Sequence, residues 1–128
     1  MRPEVIAEFV AGFGKALEVC CGYYLEVARI LKEWEKLLCV CDRNADVKNV
    51  CEKYGIEFIQ CDVESPGYQL IEMCRIADVI YAIRPPPELW GSIISLAEVT
   101  GCRCVIRPMS CEFANPAVSY RGERFLVF

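Results

Sequence analysis

The chain has 128 residues, 55% hydrophobic and 25% charged, which suits one packed domain and excludes a disordered chain. A formal net charge of -4 argues against a general nucleic-acid binder. The start Met1-Arg2-Pro3-Glu4 lacks a secretory core and no run reaches transmembrane length, so a soluble cytoplasmic protein is expected, with no membrane partner.

Residues 1–15 read as a capping helix. Pro3 suits its first turn, and Val5, Ile6, Phe9, Val10 and Phe13 recur on one face. Gly12 and Gly14 end it before a first strand over 16–21. That strand turns through Gly22 onto an amphipathic helix with Tyr24, Val27, Ala28, Leu31 and Trp34 at helical spacing. A second strand, Leu37 to Cys41, runs into Asp42-Arg43-Asn44, with Asn44 the expected N-cap of the next helix and Gly55 its stop. The third strand, Ile56 to Cys61, ends at Asp62. Ser65-Pro66 is expected to cap a short helix holding Leu70, Ile71 and Cys74.

The fourth strand, Ala77 to Ile83, ends at Arg84, where Pro85-Pro86-Pro87 forbids continuation. A helix with Leu89, Trp90, Ile93, Ile94 and Ala97 inward follows, and then a fifth strand, Cys102 to Ile106, ending at Arg107-Pro108. Val118 to Tyr120 and Phe125 to Phe128, joined by Arg121-Gly122, read as a hairpin. Strands alternating with helices imply a single α/β domain over 1–128. It is expected to be three-layered and doubly wound, with a mostly parallel sheet and a C-terminal antiparallel hairpin. Right-handed crossovers put the carboxyl ends of the parallel strands, with Gly22, Asp42, Asp62, Arg84 and Arg107, along one rim.

Ten cysteines and no histidine is an unusual inventory. No Cys-x-x-Cys occurs, so no metal site is expected. Cys39 and Cys41 share one strand face, as do Cys102 and Cys104. Buried thiols acting as small hydrophobes are the favoured reading, with intracellular disulfides the alternative. The absence of histidine excludes a His-dependent hydrolytic nucleophile.

The rim residues carry the chemistry. Gly22 opens the first strand–turn–helix step, where a ligand can approach the backbone and the helix N-terminus. Asp42, twenty residues on, suits a carboxylate accepting from a ribose diol, against a reading as a helix cap. Asp62 could accept from an adenine amino group or be a solvated loop acid. Ile83-Arg84-Pro85 and Ile106-Arg107-Pro108 would bring two guanidiniums together on a carboxylate or phosphate. Alternatively, each pairs with an acid such as Glu88 or Glu112. Tyr23, Tyr24 and Trp90 are expected to pack rather than stack on a purine.

These residues carry a family likeness. The sheet pattern with its terminal hairpin resembles the class I S-adenosylmethionine-dependent methyltransferases, whose fold is Rossmann-like. Glu18-Val19-Cys20-Cys21-Gly22-Tyr23-Tyr24 stands where they carry an acid followed by three alternating glycines. Asp42 matches their ribose acid and Asp62 their adenine-side acid. Arg84-Pro85-Pro86-Pro87 stands where amino-methyltransferases carry Asp/Asn-Pro-Pro-aromatic. From Leu17 to Phe128 the chain is similar, more closely, to a small archaeal family of uncharacterised function. The carriers are Glu18-Val19, Gly22, Tyr24-x-Glu26-Val27-Ala28, Asp42, Tyr81-Ala82-Ile83-Arg84-Pro85-Pro86-Pro87-Glu88-Leu89, Ile106-Arg107-Pro108 and Arg121-Gly122-Glu123-Arg124-Phe125.

The resemblance implies S-adenosylmethionine as cofactor, held by Glu18, Gly22, Asp42 and Asp62, with Arg84, Pro85, Pro86 and Arg107 facing an anionic substrate group. Cys20 and Tyr24 replace two of the three glycines, and Arg84 replaces the Asp or Asn. Whether the chain is an enzyme stays open. The alternatives are an NAD(P)-binding domain, with Arg43 beside a 2′-phosphate, and a non-catalytic scaffold that self-associates as a homodimer.

Overall fold

Alternation of side chains along each strand sorts the apolar residues of this chain into layers. The computed structural model describes residues 1–109 and 117–128. Its helices are α1 (Pro3–Ala11), α2 (Glu26–Glu33), α3 (Val47–Lys53), α4 (Tyr68–Ile76) and α5 (Trp90–Thr100). Its strands are β1 (Ala16–Glu18), β2 (Leu37–Asp42), β3 (Phe58–Gln60), β4 (Val79–Ile83), β5 (Arg103–Arg107), β6 (Val118–Tyr120) and β7 (Glu123–Val127).

The strands lie in the order β3-β2-β1-β4-β5-β7-β6. The first five are parallel, and β7 pairs antiparallel with β5 and with β6. The expected α/β fold with its terminal hairpin is therefore present. The strand order reverses between β1 and β4, the switch point at which open α/β sheets leave a crevice.

Ala16, Val79, Tyr81, Val105 and Phe125 face Ile6, Ala7 and Val10 of α1 and Val27 and Leu31 of α2. The opposite face presents Leu17, Cys39, Ile80, Cys104 and Ile106 to Leu70 and Cys74 of α4 and Ile93, Leu96 and Ala97 of α5. Val40 packs with Val47 and Cys51 of α3 and with Leu25 and Ala28. The nine described cysteines are all free thiols, and five of them are fully buried within these clusters. Cys111 lies outside the described residues. Among the described residues no helix is long and apolar enough to cross a membrane.

Several strands are trimmed or shifted by a residue or two at their ends, and three boundaries differ for a local reason. β1 ends at Glu18 rather than at residue 21, because Cys20 and Gly22 take left-handed backbone angles, φ 55° and 54°, which no strand accommodates. Asn44 does not cap α3 directly. Its Oδ1 accepts from the Asp46 N–H at 3.0 Å, a local turn that feeds the helix one step later. Ser65-Pro66 belongs to the loop, with Gly67 at the N-cap of α4. Pro85-Pro86-Pro87 does stop β4, and a short 3-10 turn over Pro87–Leu89 leads into α5.

Candidate functional site

The cleft forms where β1, β2 and β3 end and the segment after β4 passes above them. It encloses about 300 Å³, and its walls include Gly22, Asp42, Arg43, Asp62, Glu64 and Glu88. Cys20 and Cys61 also line it, and Pro86 and Leu89 close it from the β4 side. Gly22, Asp42 and Asp62, separated by twenty residues each, thus share one hollow. Among the described residues no aromatic ring lines the cleft. A Cβ built on Gly22 would meet no atom within 4 Å, so the space above the turn is open.

Asp42 is the structural hinge of the cleft. Its Oδ2 accepts the Gly22 backbone N–H at 2.8 Å, and its Oδ1 accepts the Asn44 N–H at 2.9 Å. One carboxylate therefore fixes the β1 turn against the end of β2. Each oxygen keeps a second lone pair for a ligand hydroxyl. The Asn44 side chain donates in turn to the Tyr23 hydroxyl at 3.3 Å, and Tyr23 is otherwise largely exposed. Asp62 accepts the Glu64 N–H through Oδ1 at 2.9 Å, while Oδ2 has no protein partner among the described residues.

Glu18 is placed differently from Gly22, Asp42 and Asp62. Its side chain is 1% exposed beneath the turn rather than in the cleft wall. It lies opposite Tyr81 of β4 in register, on the face that carries α1 and α2. Glu18 Oε1 and the Tyr81 hydroxyl both lack a well-formed hydrogen bond. Burial pushes the Glu18 carboxyl up to about 8, the neighbouring Tyr81 hydroxyl opposes this, and the Asp42 charge adds to it.

A consequence for stability follows. The unfolded carboxyl loses its proton near 4.5, whereas the folded one keeps it to about 8. Between those values the native state holds the extra proton, so stability falls as pH rises through that window and levels off above it. Glu18→Gln removes this titration. The variant is expected to gain on the order of 2 kcal/mol over the parent at neutral pH. That gain should vanish near pH 4.5, the unfolded value, which thermal melts at the two pH values would check. Melting curves that stay parallel across the range would refute the assignment.

Cys20 keeps a left-handed backbone where the resemblance places a glycine. Burial pushes its thiol up to about 12, with Asp42, Asp62 and Glu18 adding to the effect, so it is not a nucleophile at neutral pH. It acts as a small apolar wall of the cleft. Tyr24, at the third glycine position, is half-buried against the α1–α2 core and does not enter the hollow.

The two arginines are engaged within the fold. The Arg84 N–H donates to the Arg107 carbonyl at 2.6 Å, so the strand ends do meet. The Arg107 guanidinium, however, pairs with Glu123 of β7 at 3.0 Å and also donates to the Pro108 carbonyl. Both partners are nearly buried, at 13% and 7% exposure. The Arg84 guanidinium lies over the Tyr24 ring, 5.7 Å from its centroid. Neither arginine lines the cleft, and Glu88, one expected partner, does. Glu112, the other, lies outside the described residues. Pro85 is buried, and its carbonyl accepts the Trp90 indole N–H at 3.2 Å. The cleft residues that the sequence reading did not assign to the ligand include Cys61, Val63, Glu64 and Leu89. For the first three the signal was only their position just beyond the end of β3, and for Leu89 its place in the turn that leads into α5.

Among the described residues no group of three or more His, Cys, Asp or Glu could hold a metal ion.

Residues 2–127 match the family described as uncharacterised protein family UPF0146. A UPF0146 protein of Archaeoglobus fulgidus is 30% identical over 125 residues, covering 94% of this chain and 89% of that protein. One from Pyrococcus furiosus is 34% identical over 108 residues, covering 84% and 79%. Among solved structures, the sugar N-methyltransferase KedS8 from a Streptoalloteichus species aligns with TM-score 0.61 at 17% identity, covering 98% of this chain and 59% of that one. The plantazolicin methyltransferase BpumL, in complex with S-adenosylhomocysteine and a plantazolicin analogue, aligns with TM-score 0.58 at 20% identity, covering 81% and 46%. The chain thus spans about half the length of these structures. At such identities the likeness establishes a shared methyltransferase-type fold.

Proposed function

The chain belongs to the uncharacterised protein family UPF0146, and we propose that it binds S-adenosylmethionine in the cleft above Gly22. The observation that carries this reading is the convergence of Gly22, Asp42 and Asp62 on one open hollow at the switch point of the sheet. The residues present fit the group. Asp42 has two free lone pairs for the ribose diol, Asp62 has a free oxygen for the adenine amino group, and the space over Gly22 admits the ligand. The neighbours with S-adenosylhomocysteine in complex give the same cofactor class independent support. Glu18 lies buried below the turn and outside the cleft wall.

The cofactor would supply an electrophilic methyl group on a sulfonium. The protein's own part is to fix the nucleoside and exclude water from it. The anionic subsite is reduced to Arg84, since Arg107 is neutralised by Glu123. An NAD(P) ligand is disfavoured, because its pyrophosphate would enter a cleft walled by Asp42, Asp62, Glu64 and Glu88. Isothermal calorimetry with S-adenosylmethionine and S-adenosylhomocysteine tests the reading, with saturable binding of at least one expected. No heat from either at millimolar ligand would remove it. Thermal-shift assays against NADP separate the alternative, since a ligand selective for the native state raises the melting point.

A further inference from the structure

The cleft walls carry an imbalance of charge that the binding of a nucleoside does not by itself require. Asp42, Asp62, Glu64 and Glu88 face the hollow, and Arg43 is the one cation among its described walls. Glu64 and Glu88 are exposed and make no ion pair among the described residues. Ion pairs among the described residues lie elsewhere, among them Arg107 with Glu123, Arg121 with Glu8, and two within single helices. The hollow therefore has a formal excess of three negative charges (four carboxylates less one guanidinium) among its described walls.

On the reading that the cleft holds the nucleoside, we infer that it selects its ligand by charge, taking the cationic sulfonium form in preference to the neutral thioether. S-adenosylmethionine carries a sulfonium and an ammonium against one carboxylate, for a net positive charge. S-adenosylhomocysteine has lost the sulfonium charge and is neutral. The two share every hydrogen-bonding group, so only the field of the walls and the methyl itself tell them apart. Such a cleft discharges the product left after methyl donation and makes it a weak competitor. It also repels dinucleotides, whose pyrophosphate brings the wrong sign.

The magnitude follows from elementary electrostatics. A unit charge roughly 7 Å from each wall group, in high dielectric, feels a net attraction from the three-charge excess. Screening at 0.01 M salt leaves about a tenfold preference, and at physiological salt about threefold. The preference is thus small enough to need a controlled measurement and steep enough in salt to be diagnostic.

The experiment is calorimetric titration of the full chain at two ionic strengths with S-adenosylmethionine, S-adenosylhomocysteine and sinefungin. Sinefungin carries an amine where the sulfonium stands, and so tests charge without the sulfur. Sinefungin and S-adenosylmethionine should bind about tenfold more tightly than S-adenosylhomocysteine at low salt, with the gap narrowing to about threefold at high salt. In the double variant Glu64→Gln, Glu88→Gln, which removes two of the three excess charges, the low-salt gap should shrink to about twofold. Equal affinities for the three ligands, or a gap indifferent to salt and to the double variant, would overturn charge selection and leave nucleoside binding intact. No binding by any of the three would overturn both.

Discussion

Asp42→Ala is expected to abolish measurable S-adenosylmethionine binding, weakening it on the order of a hundredfold or more. The carboxylate offers two charge-assisted acceptors for a ribose diol, each contributing about 1.5–3 kcal/mol. It also accepts the Gly22 and Asn44 N–H groups, so its loss frees the turn that shapes the cleft. These bonds lie at the partly exposed rim, and the accompanying loss of stability should be about 1 kcal/mol. Asp42→Asn separates the effects. Its amide keeps one oxygen acceptor and the side-chain volume, so most of the stability should remain while affinity still falls at least about tenfold. Calorimetry and thermal melts on the two variants read both quantities. Parent-like affinity in the alanine variant would remove Asp42 from the ligand.

Arg107→Ala should have the largest effect on the fold itself. Arg107 and Glu123 pair at 3.0 Å with little exposure, linking β5 to β7 across the change from parallel to antiparallel pairing. Removing one partner strands the other charge in a dry site, which costs about 3–5 kcal/mol. For a chain of this size the melting point should fall by roughly 10–20 °C. The double variant Arg107→Leu, Glu123→Leu leaves no charge stranded and should recover most of that loss. Urea unfolding of the parent, single and double variants closes the cycle. An unchanged midpoint in the single variant would mean that solvent reaches the pair.

The fold was legible because its signals are local and repeated. Five apolar runs alternate with five amphipathic segments, and a turn at Arg121-Gly122 separates the last two strands. Gly22, Asp42 and Asp62 were legible for the same reason, each being the first polar or turn residue past an apolar run. The side chains of Arg84 and Arg107 were not. Their strand ends meet as the tripeptide pattern implied, but where a guanidinium turns depends on partners distant in the chain. Glu123 lies sixteen residues beyond Arg107 and reaches it only because β7 inserts beside β5. Tyr24 lies sixty residues before Arg84 and offers its ring face. Glu18 was legible only through the resemblance, as the acid ahead of the turn, because the apolar run carries the expected first strand on to residue 21. That it points to the helical face rather than into the hollow is set by strand parity, which a three-residue strand states only weakly.

The backbone at Cys20 bears on how this turn can change over generations. Its left-handed geometry is one that glycine adopts without strain and that other residues adopt at a cost of about 1–3 kcal/mol. Cysteine codons become glycine codons through a single nucleotide exchange, so a glycine here is one mutational step away and requires no remodelling of the main chain. Lineages can therefore toggle between a narrow and a roomy cleft at this codon while everything around it stays as it is.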